Sequence, residues 1–244
     1  MRTTRIVAAV AALLLSSPAF CGPPFLTDDP EPTDTGHWEI YAPAFDAAGH
    51  GREFEGSAGV ELNYGAARDV QVTVGLPASV LHDAGGFSAG AGDLEVSLKY
   101  RLFHDEDAGL SVAVFPGITV PTARKGYGAD HVTALLPAWM QKDIGDWSLF
   151  GGGGYAINPG QGNRNYWTGG IALSRTLSER VLLGIEVDRQ GKAAQDGEAE
   201  TSLGVGAIVR LSEHFRLLGS AGPTRPDGGG TTAFHAFLAL GWDY

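Results

Sequence analysis

Glu53-Phe-Glu-Gly-Ser-Ala-Gly-Val-Glu-Leu-Asn-Tyr64 carries the clearest periodicity in the chain. Phe54, Ala58, Val60, Leu62 and Tyr64 fall on one parity, and Glu53, Glu55, Ser57, Glu61 and Asn63 on the other. A period of two makes a β-strand with unlike faces, because successive side chains of a strand point to opposite sides. The same rhythm sets Val70, Val72, Val74 and Leu76 against Gln71 and Thr73, and Leu94, Val96, Leu98, Tyr100 and Leu102 against Asp93, Glu95, Ser97, Lys99 and Arg101. Three such stretches exclude helix for this part of the chain.

Working outward, further strands are expected at 38–45, 110–120, 132–141, 147–157, 166–176, 181–188, 201–210, 215–222 and 232–244, which brings the total to twelve. The middle strands are less regular, since Leu135, Trp139, Phe150 and Trp167 break the alternation in either register, and counts of ten or fourteen stay open. Short connections fall near 65–68, 104–109, 143–146, 177–180 and 211–214, and long ones near 78–90, 122–130, 158–164, 189–200 and 223–230. Tight turns at one end and longer loops at the other are the pattern of transmembrane barrels. Glycine, 36 of 244 residues, is spread along the whole chain, as closely spaced strands and turns require.

The expectation is an all-β, antiparallel, up-and-down transmembrane β-barrel. A closed sheet of about twelve strands is too wide for side chains to fill, so an apolar-inside version leaves a void and a polar-inside version leaves a wet lumen. On that orientation the lumen-lining candidates are Glu55, Glu61, Glu95, Lys99, Arg101, Arg175, Glu186, Asp188, Arg210 and Arg216, mixed in sign so that neighbours can pair across strands. Aromatic residues gather at strand ends as two interfacial girdles. Trp38, Tyr64, Tyr100, Phe103, Trp147, Phe215 and Trp242 lie toward the short turns, and Phe54, Phe87, Tyr155, Tyr166 and Phe234 toward the loops.

The first residues read as an export signal: Arg2 and Arg5, an apolar run from Ile6 to Leu15 too short to span a bilayer, then a small-residue exit. Cleavage after Cys21 is preferred, and cleavage after Ala19 also fits. Phe20 and Pro18 disfavour the lipoprotein alternative. A cut after Cys21 removes the one cysteine, and with it any disulfide, zinc-thiolate site or thiol chemistry. It also takes two of the seventeen basic residues, leaving fifteen against twenty-eight acidic ones, a net charge near minus thirteen. Such a surface repels phosphates, so nucleic acid is not an expected partner. The segment 22–36, rich in proline and acid, either folds into the lumen as a plug or hangs as a flexible tail.

The start Gly22-Pro-Pro-Phe-Leu-Thr-Asp-Asp-Pro-Glu-Pro-Thr-Asp-Thr-Gly-His-Trp-Glu39 and the stretch Gln141-Lys-Asp-Ile-Gly-Asp-Trp-Ser-Leu-Phe-Gly-Gly-Gly-Gly-Tyr155 resemble a family of Gram-negative outer-membrane proteins. That family is labelled "putative meta-pathway of phenol degradation" and is often called a transporter. The resemblance implies an outer-membrane location and weakly implies transport, and it brings no set of functional residues with it.

The chemistry-bearing patterns are sparse. Gly151–Gly154 is followed by no Lys-Ser/Thr and begins no helix, so it reads as strand glycines rather than a phosphate cradle. The seven histidines, His37, His50, His82, His104, His131, His214 and His235, show no metal-ligand spacing, and no cofactor is expected. The nearest approach to the His-x-Ser of barrel phospholipases is His131-Val132-Thr133, which has no evident group to orient the base, so no catalytic residue is assigned. Three functional readings follow. The first is a passive channel for small, aromatic or hydrophobic molecules, the second a closed structural or partner-binding barrel, and the third a lipase-type enzyme, which the sequence supports least. Expected partners are outer-membrane lipid, a small-molecule solute, and the barrel-assembly machinery, through a last strand that alternates Phe234, Ala236, Leu238, Leu240, Trp242 and Tyr244 and stops on an aromatic.

Overall fold

The protein is represented by a computed structural model that describes residues 24–50, 53–83 and 86–244. The expected export signal and its cleavage site lie outside the described residues. The strands are β1 (Trp38–His50), β2 (Glu53–Ala67), β3 (Val70–Asp83), β4 (Gly86–Ala91), β5 (Leu94–Asp105), β6 (Leu110–Val114), β7 (Gly117–Val120), β8 (Thr133–Ile144), β9 (Trp147–Ile157), β10 (Tyr166–Ser178), β11 (Val181–Gln190), β12 (Glu200–Arg210), β13 (Phe215–Pro226) and β14 (Ala233–Asp243). All pair antiparallel with their neighbours, and β1 pairs with β14 to close the sheet. The first and last strands are also joined end to end, Trp38 N–H donating to Tyr244 O (2.7 Å) and Tyr244 N–H to Trp38 O (2.9 Å).

Fourteen strands make twelve staves. Both β4 and β5 pair with β3, their registers differing by one residue across Gly92 and Asp93. Likewise β6 and β7 follow one another along β5 and β8, keeping one register on β8, and are interrupted at Phe115 and Pro116, where proline has no N–H to give the ladder. Of the three strand counts left open by the sequence, twelve is the one observed. One connection differs from expectation: within 78–90, residues 78–83 and 86–90 are paired strand, with Phe87 opposite His82 and, just beyond, Ala91 opposite Ala78. The alternation is weak there because Gly86, Ala89, Gly90 and Ala91 carry little contrast between faces.

The orientation is the polar-inside one. Val60, Leu62, Val72, Val74, Val96 and Leu98 lie on the outward parity, and Asn63, Gln71, Thr73 and Lys99, all buried, on the inward one. The irregular middle strands resolve the same way. Leu135, Trp139 and Phe150 share the inward parity of Pro137 and Gln141, with Trp139 and Phe150 buried, while Trp167 is outward and 71 % exposed. Apolar residues broke the alternation because part of the lumen is itself apolar. Ring centroids pair Trp38 with Tyr64 (4.6 Å) and Phe215 with Trp242 (6.1 Å) at the turn end, and Phe54 with His82 (5.6 Å) and Tyr155 with Trp167 (5.1 Å) at the loop end. Tyr166 is a correction to the girdle, since it faces inward and Trp167 takes the outer place.

Candidate functional site

The N-terminal segment lies inside the barrel and crosses the lumen. Pro24 O accepts from Ser220 Oγ on β13. Phe25 enters a notch between β9 and β12, its ring 5.9 Å from Phe150 in an edge-on contact. The notch exists because the inward positions there are glycines. A Cβ on Gly184 would stand 2.5 Å from Phe25 Cζ, one on Gly206 2.7 Å from Phe25 Cε1, and one on Gly170 2.3 Å from Thr27 Oγ1. No side chain fits at those distances, so glycine is what lets the segment approach the wall.

Glu186 on β11 holds the next turn of chain, its carboxylate accepting from Leu26 N–H (3.1 Å) and Thr27 N–H (2.9 Å). The segment then reaches the opposite wall. Lys99 Nζ is 3.1 Å from Asp28 Oδ1 and 3.8 Å from Asp29 Oδ1, and also donates to Glu31 O (3.3 Å). Arg101 bridges Glu31 and Asp69, with Nη2 2.6 Å from Asp69 Oδ1. Thr33 N–H donates to Gln71 Oε1 (2.7 Å), and Gln71 continues into Asn63, Thr73 and Glu61. The chain leaves the lumen where Gly36 N–H meets Gly65 O (2.7 Å) and enters β1.

These contacts answer the solvation problem of the turn-end half. Buried charges persist when paired and hydrogen-bonded, and Lys99, only 3 % exposed, has carboxylates beside it and Phe115 beneath it at 4.8 Å. Asp29, on the segment and outside the strands, is fully buried. Desolvation pushes its carboxyl up to about 7 while Lys99 pulls the other way, and its Oδ2 has no hydrogen-bond partner. The far wall of this half is apolar, with Tyr41, Leu182, Ile208, Leu218 and Ala239 packed together and Phe25 laid against them. Arg216 is ion-paired with Glu39 and Asp243 and donates to Tyr41 Oη (3.1 Å).

Toward the loops the lumen opens into a cavity of about 1020 Å³. Its floor includes Leu26 and Asp28 of the segment together with Phe115 and Trp139, and its walls carry Glu55, Glu95 and Asp188. Of the expected lumen-lining residues, Glu55, Glu95 and Asp188 therefore face the cavity. Glu61, Lys99, Arg101, Glu186 and Arg216 lie in the filled half, and Arg210 shares the inward parity of buried Ile208 opposite Arg216. Arg175 is a correction: Ser174 is the inward residue, so Arg175 points outward, with its guanidinium 5.1 Å from the Trp147 ring in the turn-end girdle. A single arginine fits the outer face at that depth because its head reaches the interface.

The residues missed in the sequence are those of the segment, Asp28, Asp29 and Glu31, and the glycines that receive it. The signal was present in Gly170, Gly184, Gly204 and Gly206, inward positions empty of side chain in a row of strands whose lumen must be filled by something. Among the described residues no group of three or more His, Cys, Asp or Glu is arranged to hold a metal. His131 stands exposed in the loop beside Gly160, with no serine partner on a strand.

Similar architectures are known. The COG4313 outer membrane channel from Pseudomonas putida F1 superposes with a TM-score of 0.67 at 14% identity, over 91% of this chain and 99% of that one. The NanC porin gives 0.60 at 7% identity, and the KdgM porin, solved with disordered oligogalacturonate, 0.57 at 8%, each over 84% of this chain and 98% of the other. At these identities the likeness is one of fold. No curated protein matches the sequence. Residues 50–240, most of the barrel, match the family described as "Putative MetA-pathway of phenol degradation", and the chain belongs to that family.

Proposed function

We propose that this protein is a passive channel for small molecules in the outer membrane of a Gram-negative bacterium, delivered there by a cleaved signal peptide. In this reading the loops face the cell surface and the turns the periplasm, and the N-terminal segment regulates passage. The observation that carries it is the cavity of about 1020 Å³ whose floor is formed in part by the chain's own N-terminal segment rather than by the barrel wall. A segment held by side-chain contacts can leave, whereas a wall cannot. The channel and porins of similar fold, and a family description that points to phenol breakdown, support solutes of small, aromatic or hydrophobic type. Lipid surrounds the girdled barrel, and the last strand, ending Trp242-Asp-Tyr244, is offered to the assembly machinery. We assign no catalytic residue.

Solute influx into liposomes carrying the purified barrel tests this reading. Swelling with small neutral solutes is expected, and vesicles that stay sealed to every solute contradict it. The packing of Tyr41, Asn63, Gln141 and Ser174, all buried in the turn-end half, favours a second reading, a permanently closed barrel that acts through its loops. Sealed vesicles both with and without the N-terminal segment would select that one.

A further inference from the structure

The loop-end cavity has one-sided electrostatics. Among the described residues, Asp46, Glu53, Glu55, Glu95, Asp188 and Glu200 line it without an ion pair, and no lysine or arginine lines it. Lys99 and Arg101 lie below, already matched by Asp28, Glu31 and Asp69. Low-dielectric walls around charges of one sign focus their potential into the cavity, drawing in cations and turning away anions.

Carboxylates facing water do not by themselves make a site, but His235 adds a second observation. It lines the same cavity at 7 % exposure, with Nδ1 3.2 Å from Thr224 Oγ1 and Thr224 Oγ1 2.8 Å from Ser202 Oγ. Its Nε2 is buried with no partner. In the tautomer whose Nδ1–H donates to Thr224, Nε2 is a bare acceptor, and a buried acceptor left empty is costly. The strand register shows what surrounds it. Ala48 on β1 lies opposite His235 on one side and Glu55 on the other, and Asp46 is the next inward residue along β1. Ala48 is the small residue between them, so the register sets His235 on one flank of its methyl and carboxylate-bearing residues on the others. Strands stand about 4.8 Å apart, so the flanking backbones are separated by roughly 10 Å, room for one ammonium group among side chains that reach toward it. Phe115 and Trp139 supply aromatic surface elsewhere in the cavity.

We propose that the loop-end cavity is a binding vestibule for small organic cations, protonated amines with an aromatic or hydrocarbon part. The ammonium sits over Ala48, where it donates to His235 Nε2 and to the carboxylates of Glu55 and Asp46. The apolar part lies against the aromatic surface of the cavity. This deepens the channel reading by naming the charge of the preferred solute.

Three probes of equal size but different charge test it: benzylammonium, benzyl alcohol and benzoate, titrated calorimetrically into the full chain in detergent at low salt. Benzylammonium is expected to bind at least tenfold more tightly than benzyl alcohol, and benzoate more weakly than either. The double variant Glu55→Gln with Asp46→Asn should cut the preference for the cation severalfold, the remaining carboxylates of the cavity keeping a residual part of it. His235→Ala should weaken benzylammonium severalfold while leaving benzyl alcohol little changed, with folding of each variant checked by the heat-dependent shift of the barrel in gel electrophoresis. Benzoate binding as tightly as benzylammonium, no detectable benzylammonium binding, or a preference undiminished in the double variant would each overturn the proposal. Binding is read at equilibrium and needs no conduction. A barrel that prefers benzylammonium yet leaves vesicles sealed refutes the channel alone, and one that conducts without charge preference refutes this proposal alone.

Discussion

The two halves of the lumen obey one rule and end in opposite states. In both, polar side chains point inward because the outer face belongs to hydrocarbon. At the turn end the inward cations Lys99 and Arg101 meet carboxylates carried by the N-terminal segment, and that half is packed. At the loop end the inward carboxylates meet no lysine or arginine among the described residues, and that half is open. The difference teaches that the barrel alone is electrostatically incomplete. The segment's Asp28, Asp29 and Glu31 complete the pairing of Lys99 and Arg101, while the carboxylates of the loop-end wall are left facing the cavity.

The strongest way to break this contrast is to remove that charge. Asp28→Asn, Asp29→Asn and Glu31→Gln together take the segment's carboxylates from Lys99 and one of two from Arg101. Since a buried charge stripped of its partner costs about 3–5 kcal/mol, the segment should unseat roughly a hundredfold or more. Hydrogen exchange at the Leu26 and Thr27 amides, protected by Glu186 in the native chain, reads that directly. Protection equal to the parent's would show that the ion pairs do not seat the segment.

Next in size is the notch. Gly184→Val with Gly206→Val should expel the Phe25 ring, with an overpacking cost of about 1–3 kcal/mol, and should raise conductance while the barrel itself stays folded. Unchanged conductance and an unchanged Phe25 environment would remove the glycines from the account.

A pH effect is expected to follow. Burial raises the Asp29 carboxyl from its ordinary 3.8 to about 7. A group raised in the seated state favours seating most below pH 3.8, and that contribution is lost as pH climbs through about 7. Segment exchange should therefore quicken between pH 6 and 8, and Asp29→Asn should flatten the profile. A profile that slows with rising pH contradicts the assignment.

The smallest effect belongs to the outer face. Arg175→Gln forfeits an exposed cation–π contact with Trp147 worth about 0.5–1 kcal/mol and should leave solute influx and probe binding unaltered. A changed influx would place Arg175 in the path after all.

The contrast between halves also explains what the sequence could convey. Strands with water on one side and lipid on the other, such as Glu53–Tyr64, show their faces directly, because every second residue answers to a different solvent. Strands β8 and β9 did not, since Leu135, Trp139 and Phe150 face a lumen that is partly apolar. Arg175 misled for the related reason that a long cation near a girdle can sit outside. The seat of the N-terminal segment was harder still to see. Its anchors in the lumen wall run from Gln71, 38 residues from Thr33, to Ser220, 196 residues from Pro24, and no local pattern couples Asp28 to Lys99 or Pro24 to Ser220. Only the run of inward glycines hinted that the lumen had an occupant, and His235, one of seven scattered histidines, gained meaning only from its place beside Ala48.

The central claim is that the chain's own N-terminus closes the barrel, and single-channel recording in planar bilayers before and after deleting residues 24–34 tests it most directly. The account predicts small or brief currents from the full chain and a steady conductance at least tenfold larger from the shortened one. Equal currents from the two would mean that the closure lies in the wall, and the account would fail.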